Sequence, residues 1–338
     1  MALRKVLAAL ALGAASLPAV PVMAQSAPAS ASTAASELPR LSVAQLRKKY
    51  QDAQSRYMTI KGVEIHYKDE GPRGAPVLFM VHGSESSVRT WDRITVLLKK
   101  RYRIVRYDIP GYGLSEGTTD EAAANVQPVE IAEGLIDSLG VKKLTFVGVS
   151  SGGTMGMYLA AKRPELVERL ILSNTPSDPV KTDHLVQPQS FLDAQAEAVR
   201  TKYRNLTFWN EFLAYFAGDP ARISQRTREE YYDFNRRLPE KHPIALVARI
   251  GDGKQAAIEM AKVRAPVLLA RGTGDPLLPE SAAQAITRYL ANAQISRVYM
   301  PDVGHYPPLE VPDRFARLIT TYVEAVVPDP NGKWHGAK

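Results

Sequence analysis

Residues 144–153, LTFVGVSSGG, constrain this chain more than any other stretch. The first four of these residues, LTFV, form a largely apolar run that suits a short strand, and the TMGMYLAA that follows suits a helix. Between them lies a Gly-x-Ser-x-Gly turn, whose glycines let neighbouring backbone pass close to a tight bend. Such a strand-to-helix turn exposes its serine hydroxyl, so Ser150 is a candidate nucleophile. The alternative is a turn serine without chemistry, because a pattern this short also arises by chance.

The chain around this turn alternates short apolar runs with amphipathic helical segments. A hairpin signal covers residues 57–67, and apolar runs of strand length follow at residues 76–81, 102–107, 166–173, 265–271 and 295–300. Helical spacing is found at residues 41–57, 91–99, 129–139, 281–290 and 312–326. This alternation predicts an α/β fold with a mostly parallel central sheet and helices on both faces.

Residues 176–261 interrupt the alternation. They contain helical pieces rich in aromatic residues and no apolar run of strand type. We interpret them as a helical cap inserted into a core made of residues 56–175 and 262–327. Most cap aromatics are expected to pack against one another. Four of them are candidates for contact with a substrate: Trp209, Phe212, Tyr215 and Tyr231.

The N-terminus predicts export. Two basic residues precede an Ala- and Leu-rich apolar stretch, which ends near the small-x-small sequence Val22-Met23-Ala24. We expect a signal peptide over residues 1–24, cleaved after Ala24, and therefore a periplasmic or secreted protein. A membrane anchor is the alternative, but prolines interrupt the apolar stretch and it is short for a spanning helix. A leader with a short helix (residues 25–55) and a loose tail (residues 328–338) flank the core.

Composition excludes several classes of function. The chain has 338 residues, 45% of them hydrophobic, and no cysteine, so it is expected to bury a sufficient core without disulfides. The formal net charge is +8, but the basic residues are scattered without interleaved aromatics, so no nucleic-acid partner is expected. The six histidines lack metal-ligand spacing, so we expect no metal site. No cofactor is expected either. A small-molecule substrate is the expected partner, with no stable membrane insertion after signal removal, and the oligomeric state stays open.

Two polar motifs follow later predicted strands. Asp275 lies in a glycine turn after residues 265–271, and His305 follows residues 295–300. The carboxyl ends of parallel strands meet at one edge of a sheet, where sites form. The chain order serine, acid, histidine is the α/β-hydrolase order, in which the histidine takes the serine's proton and the carboxylate fixes the imidazole tautomer. Asp178 is the alternative acid.

These motifs, together with His82-Gly83 and residues 108–115 (DIPGYGLS), make residues 57–327 resemble an α/β-hydrolase with a helical cap. The resemblance implies an oxyanion hole formed by the backbone N–H groups of Ser84 and Ser151. It also implies a structural role for His82.

The loop that ends at Trp91 resembles haloalkane dehalogenases, and cap tyrosines are found in epoxide hydrolases. Both of these relatives use an aspartate nucleophile, so Ser150 disfavours halides and epoxides as substrates. Trp91 and Glu85 join the candidates for contact with substrate. Glu85 is interpreted first as a solvated loop residue, and second as a pocket residue that disfavours anionic substrates.

The resemblance implies hydrolysis of a carboxylic ester or lactone through an acyl-enzyme on Ser150. Carbon–carbon bond hydrolysis, amide hydrolysis and perhydrolysis use the same triad, and the motifs do not separate them. A small-ligand binding or sensing module on this fold is the third hypothesis.

Overall fold

The computed structural model describes residues 39–118, 120–238 and 258–325. The predicted signal peptide, the tail at residues 328–338 and most of the C-terminal part of the predicted cap, residues 239–257, lie outside these ranges.

The centre of the described chain is an eight-stranded sheet in the order β1-β2-β4-β3-β5-β6-β7-β8. The strands are β1 (Arg56–Ile60), β2 (Val63–Glu70), β3 (Val77–Val81), β4 (Arg103–Tyr107), β5 (Leu144–Val149), β6 (Val167–Ser173), β7 (Val267–Gly272) and β8 (Ile295–Met300). Strand β2 pairs antiparallel with β1 and β4, and every other pairing is parallel. The carboxyl ends of β3 to β8 therefore share one edge, and the predicted α/β fold is confirmed.

Helices cover both faces of this sheet. They are α1 (Val43–Tyr50), α2 (Asp92–Leu98), α3 (Asp120–Asn125), α4 (Pro128–Ser138), α5 (Ser151–Lys162), α6 (Gln189–Thr201), α7 (Leu206–Phe216), α8 (Gln225–Asn235), α9 (Glu280–Tyr289), α10 (Pro307–Glu310) and α11 (Pro312–Glu324). Alternate residues of β3 enter two separate apolar clusters, Phe79 on one face and Leu78 and Met80 on the other. The continuous apolar run at residues 76–81 is thus a strand buried on both faces.

Helices α6, α7 and α8 are inserted between β6 and β7, within the predicted cap. Their aromatic side chains form one cluster, which includes Tyr306 from the core: Phe191, Phe208, Trp209, Phe212, Phe216, Tyr231 and Tyr306. None of the helices in the described ranges combines the length and apolar character needed to cross a bilayer.

The N-terminal helix is shorter than the spacing at residues 41–57 predicts. Ser42 and Gln45 form a capping box at its start, and the helix ends at Tyr50 because Gln51 is extended, with ψ of 148°. Leu46 packs with Leu114 of the core and Phe234 of α8. Helix α1 therefore joins the core to the cap.

Candidate active site

Ser150 is the single residue between β5 and α5. Its φ of 53° and ψ of −131° are values that residues other than glycine rarely adopt. The Ser150 N–H donates to the carbonyl oxygen of Ser173 on the neighbouring strand, at 3.0 Å. The strained residue is therefore fixed to the sheet through its own main chain.

The two glycines of the elbow lie where backbone approaches closely. A Cβ on Gly148 would lie 2.5 Å from the backbone nitrogen of Gly153. A Cβ on Gly152 would lie 2.4 Å from the carbonyl oxygens of Val81 and His82. Any larger residue would push these main chains apart, so the elbow depends on close packing inside the core.

His305 and Asp275 meet at the same edge of the sheet, after β8 and β7. The His305 Nδ1 lies 2.7 Å from the Asp275 Oδ2, and both side chains are buried. The backbone N–H groups of Leu277 and Leu278 donate to Asp275 Oδ1, at 2.8 and 3.3 Å. A proton held at Nδ1 leaves the lone pair on Nε2, the tautomer that a general base requires.

Asn174 holds the acid from the other side, and sequence analysis missed it. Its Nδ2 donates to Asp275 Oδ2 at 2.8 Å, and its Oδ1 accepts the Gly272 N–H at 2.9 Å. Its φ of 40° is left-handed, a conformation that asparagine tolerates better than most residues. An asparagine directly after a predicted strand was the available signal.

The alternative acid is engaged elsewhere. Asp178 accepts hydrogen bonds from the Tyr289 hydroxyl, at 2.7 Å, and from the Ser177 hydroxyl, at 3.1 Å. The structure therefore brings Asp275, and not Asp178, to His305.

The oxyanion loop, residues 82–88, passes beside the elbow. The Ser84 and Ser151 hydroxyl oxygens are 3.0 Å apart, so the two predicted oxyanion donors belong to adjacent residues in space. Burial lowers the pKa of His82, whose Nε2 accepts the Ile109 N–H at 3.0 Å. The Nδ1 proton of the neutral ring then donates to the Gly83 carbonyl at 2.7 Å. This end of the loop is thus held by the core.

The middle of the oxyanion loop is held by the cap. Glu85 has a left-handed φ of 60°. Its carboxylate pairs with Arg204 Nη1 at 3.1 Å, and its carbonyl accepts from Asn235 Nδ2 at 2.8 Å. The next residue, Ser86, accepts from the Tyr231 hydroxyl at 3.0 Å, and burial raises the pKa of Tyr231 to about 12. Glu85 is therefore bound by a cap cation and is not merely solvated.

The base loop, residues 302–306, is also tied to the cap. The His305 N–H donates to the Phe216 carbonyl at the end of α7, at 2.8 Å. The buried Glu310 carboxylate accepts the N–H of Gly304 at 3.0 Å, that of Tyr306 at 3.3 Å, and that of Gly218, beyond α7, at 2.8 Å. Glu310 thus holds both neighbours of His305 and the cap together. Sequence analysis missed this acid, for which the signal was a carboxylate shortly after Gly304-His305.

The predicted substrate-contacting aromatics are mostly enclosed. Trp91 and Trp209 have no exposed surface, Trp91 within a core cluster and Trp209 within the cap cluster. Phe212 and Tyr231 are buried, whereas Tyr215 is half-buried.

Two aromatic rings outside the predicted set lie next to the His305 ring. Those of Tyr306 and Phe216 lie 5.1 and 6.2 Å from the His305 ring. Neither residue was singled out from the sequence. Across the described ranges, no group of three or more His, Cys, Asp or Glu side chains is arranged to hold a metal ion.

Comparison with known proteins places this geometry in a family. A family model for the alpha/beta hydrolase fold matches residues 76–312. A 2-hydroxy-6-oxononadienedioate/2-hydroxy-6-oxononatrienedioate hydrolase of Burkholderia vietnamiensis (strain G4 / LMG 22486) is 24% identical over 81% of this chain and 96% of its own length. A pimeloyl-[acyl-carrier protein] methyl ester esterase of Nitrosomonas europaea is 28% identical over 74% of this chain and 96% of its own length.

Among solved structures, the enol-lactonase of Burkholderia xenovorans LB400 is similar in fold. It superposes with a TM-score of 0.62 at 21% identity, over 80% of this chain and 100% of that one. With the family match covering most of the core and cap, the chain belongs to the α/β-hydrolase family.

Proposed function

We propose that this protein is an exported serine hydrolase that cleaves a carboxylic ester or a lactone. The observation that carries the proposal is the buried pair of His305 and Asp275, at the sheet edge where Ser150 forms the elbow. The other steps follow from the chemistry that such a pair performs.

In the acylation step, the Ser150 Oγ attacks the carbonyl carbon while His305 Nε2 takes its proton. The negative charge that develops on the carbonyl oxygen is held by the N–H groups of Ser151 and Ser84. Ser151 is the first residue of α5, so the helix dipole adds to this stabilisation. Collapse of the tetrahedral intermediate breaks the carbon–oxygen bond, and the leaving alkoxide takes the proton from His305.

In the deacylation step, water replaces the alcohol. His305 takes a proton from water as its oxygen attacks the acyl carbon. The proton then returns to Ser150 and the carboxylic acid leaves. A lactone gives a hydroxy acid by the same two steps.

Ester chemistry is favoured by the methyl ester esterase relative, which matches almost its whole length. A second candidate, hydrolysis of a carbon–carbon bond on the same triad, is favoured by the oxononadienedioate hydrolase relative. Product analysis separates the two: an ester yields an acid and an alcohol, whereas hydrolysis of a carbon–carbon bond beside a ketone yields an acid and a fragment that gains a C–H bond and no hydroxyl at the cleaved position.

The export part of the proposal depends on residues 1–24, which precede the described chain. Expression in a Gram-negative host tests it. We expect the secreted or periplasmic fraction to contain protein whose first residue is Gln25. An unprocessed chain confined to the cytoplasm would contradict it.

The catalytic part is tested with Ser150→Ala and p-nitrophenyl butyrate. We expect hydrolysis to fall at least about a thousandfold, since the residual rate comes only from binding and the oxyanion hole. Ser190→Ala, which removes an exposed hydroxyl on α6, is the matched control and keeps full activity. Full activity in Ser150→Ala would refute the proposal. Tight ligand binding with almost no turnover by the wild type would favour the sensing module instead.

A further inference from the structure

A cleft of about 290 Å³ opens between the cap and the segment that precedes α1. It is lined by the last turns of α6, the α6–α7 connection and the end of α8, and Arg40 closes it from the N-terminal side. Its size is near the lower end of the range for small-molecule sites. None of its lining residues is acidic, and three of them are cationic: Arg40, Lys202 and Arg204.

Two of these cations lack a carboxylate partner within the described ranges. Arg40 donates to main-chain carbonyls, through Nη2 to Lys202 at 3.0 Å and through Nη1 to Arg237 at 3.3 Å. These bonds orient the guanidinium but leave its charge unpaired. Lys202 ends α6 in a left-handed conformation, with φ of 54°, and its side chain is exposed. The cleft therefore carries positive charge that no described neighbour neutralises.

Carboxylates on the elements that border the cleft are already paired. Glu197 on α6 accepts two hydrogen bonds from Arg200, at 2.9 and 2.7 Å. Glu85, below the cleft, is paired with Arg204. On α8, an Asp233 oxygen accepts from Arg236 at 2.9 Å. Because each of these acids has its own cation, the charges of Arg40 and Lys202 remain available to an anionic ligand.

The cleft adjoins the oxyanion loop. Two of its lining residues, Arg204 and Asn235, bond to Glu85, which follows Ser84. Phe208 supplies an apolar wall, with the Arg204 guanidinium 5.3 Å from the centre of its ring. The cleft and the loop that carries a proposed oxyanion donor are thus connected through the side chains of Arg204 and Asn235.

We propose that this cleft binds the carboxylate of the substrate, so that the preferred ester or lactone carries a negative charge away from the scissile bond. The proposal rests on the proposed hydrolysis at Ser150. Guanidinium groups match the two oxygens of a carboxylate, and an ammonium adds a further charged donor. The pairing of Glu85 with Arg204 removes the repulsion that the second interpretation of Glu85 assumed.

The test compares two esters of similar acyl length, mono-p-nitrophenyl glutarate and p-nitrophenyl butyrate. We expect the wild type to prefer the anionic ester, and Arg40→Gln/Lys202→Gln to lower its preference (the ratio of the two kcat/KM values) about tenfold, mainly through KM for the anionic ester. Added NaCl lowers the same preference in the wild type. Arg73→Gln/Lys262→Gln removes one arginine and one lysine charge from exposed positions that do not line the cleft, and it keeps the preference.

A binding measurement on the full chain keeps this proposal separate from the catalytic one. Calorimetric titration with glutarate is expected to give binding that the neutral diamide does not give and that Arg40→Gln/Lys202→Gln weakens. If the wild type hydrolyses neither ester but binds glutarate in this way, the proposed function fails and the anion site stands. An unchanged preference in the double variant, or no glutarate binding by the wild type, overturns the site. Binding of inorganic phosphate without glutarate overturns its assignment to a carboxylate. Melting temperatures check that each variant is folded.

Discussion

The elbow at Ser150 and the oxyanion loop lie side by side at the sheet edge but are held in different ways. The elbow is fixed by backbone packing between β5, α5 and the end of β3, all within the core. The core holds the ends of the oxyanion loop, through His82 and through the Val88 N–H, which donates to Asp108 at 2.7 Å, and it also contacts Ser84, whose hydroxyl lies 3.0 Å from that of Ser151. Unlike the elbow, it is also bound by cap side chains, at Glu85 and Ser86.

This difference shows that the cap is part of the frame that positions the proposed chemistry. Arg204, Asn235 and Tyr231 hold two consecutive residues of the oxyanion loop, and the end of α7 holds the base loop. We therefore expect changes in the core to abolish activity, and changes at the cap contacts to reduce it in graded steps.

Asp275→Asn has the largest expected effect, because it removes the carboxylate that fixes the His305 tautomer. We expect kcat to fall by roughly a thousandfold to ten-thousandfold with little change in melting temperature. Asp178→Asn is the matched control. Equal losses of kcat in the two variants would contradict the assignment of Asp275 as the catalytic acid.

Gly152→Ala attacks the elbow itself. The added Cβ meets the carbonyl oxygens of Val81 and His82, which cannot move without distorting β3. We expect kcat to fall about a hundredfold or more, together with a lower melting temperature. Gly74→Ala adds its Cβ where no atom lies within 4 Å, so that variant should match the wild type in both measurements.

Glu310→Gln loosens the contact between the base loop and the cap. An amide places N–H donors where the carboxylate accepted four backbone N–H groups, so we expect kcat/KM to fall about tenfold or more. Glu280→Gln changes a carboxylate that is 42% exposed and pairs with Arg271, and it should leave kcat/KM unaltered. A Glu310→Gln enzyme with wild-type kinetics would show that the base loop needs no tie to the cap.

Arg204→Gln/Asn235→Ala releases Glu85 from the cap. We expect kcat to fall about tenfold, since the proposed Ser84 donor is then less well placed. The affinity for a trifluoromethyl ketone, which forms a tetrahedral adduct with serine, should fall by a similar factor. Arg200→Gln is the control for Arg204. Lower stability with unchanged affinity for the ketone would limit the two residues to holding the fold.

Asp108 anchors the end of the oxyanion loop at Val88, and replacing Asp108 is expected to have the smallest effect. Burial alone would raise the pKa of Asp108. The hydrogen bond from His66 and the nearby His66 and His82 side chains lower it by more, so the pKa is about 2. A folded-state pKa below the ordinary 3.8 stabilises the protein above pH 3.8, and that stabilisation is lost as pH falls through about 2. We expect the wild type to lose about 2 kcal/mol of its free energy of unfolding across this window, on the basis of the pKa shift alone. Asp108→Asn should be less stable at pH 7 and less sensitive to acid, and parallel pH curves would contradict this.

The contrast between the elbow, which the core holds, and the oxyanion loop, which the cap also binds, explains how far the sequence predicted the site. Ser150, Asp275 and His305 each follow a short segment with a strand pattern, so local patterns were enough to place them at one edge of a parallel sheet. The contacts of Glu85 with Arg204 and Asn235 join residues 119 and 150 positions apart. No local pattern encodes such contacts, because they depend on how the cap docks on the core.

The sequence patterns also did not predict which aromatic side chains are fully buried. Trp91 and Trp209 were natural candidates for contact with substrate because large aromatic residues line many sites. Both are enclosed by their own clusters, since an amphipathic pattern shows that a side chain packs but not which partner covers it. Helix α2 begins at Asp92, one residue after the predicted start at residue 91, because a 3-10 turn over Val88–Trp91 precedes the α-helix.

The central claim is that Ser150 is a nucleophile activated by His305 and Asp275. It is tested most directly by labelling the full chain with a fluorophosphonate and mapping the adduct by peptide mass spectrometry. We predict stoichiometric labelling of Ser150, abolished in Ser150→Ala and strongly slowed in Asp275→Asn, with loss of ester hydrolysis in step with labelling. An adduct on another residue, or ester hydrolysis that persists after Ser150 is fully labelled, would contradict the account.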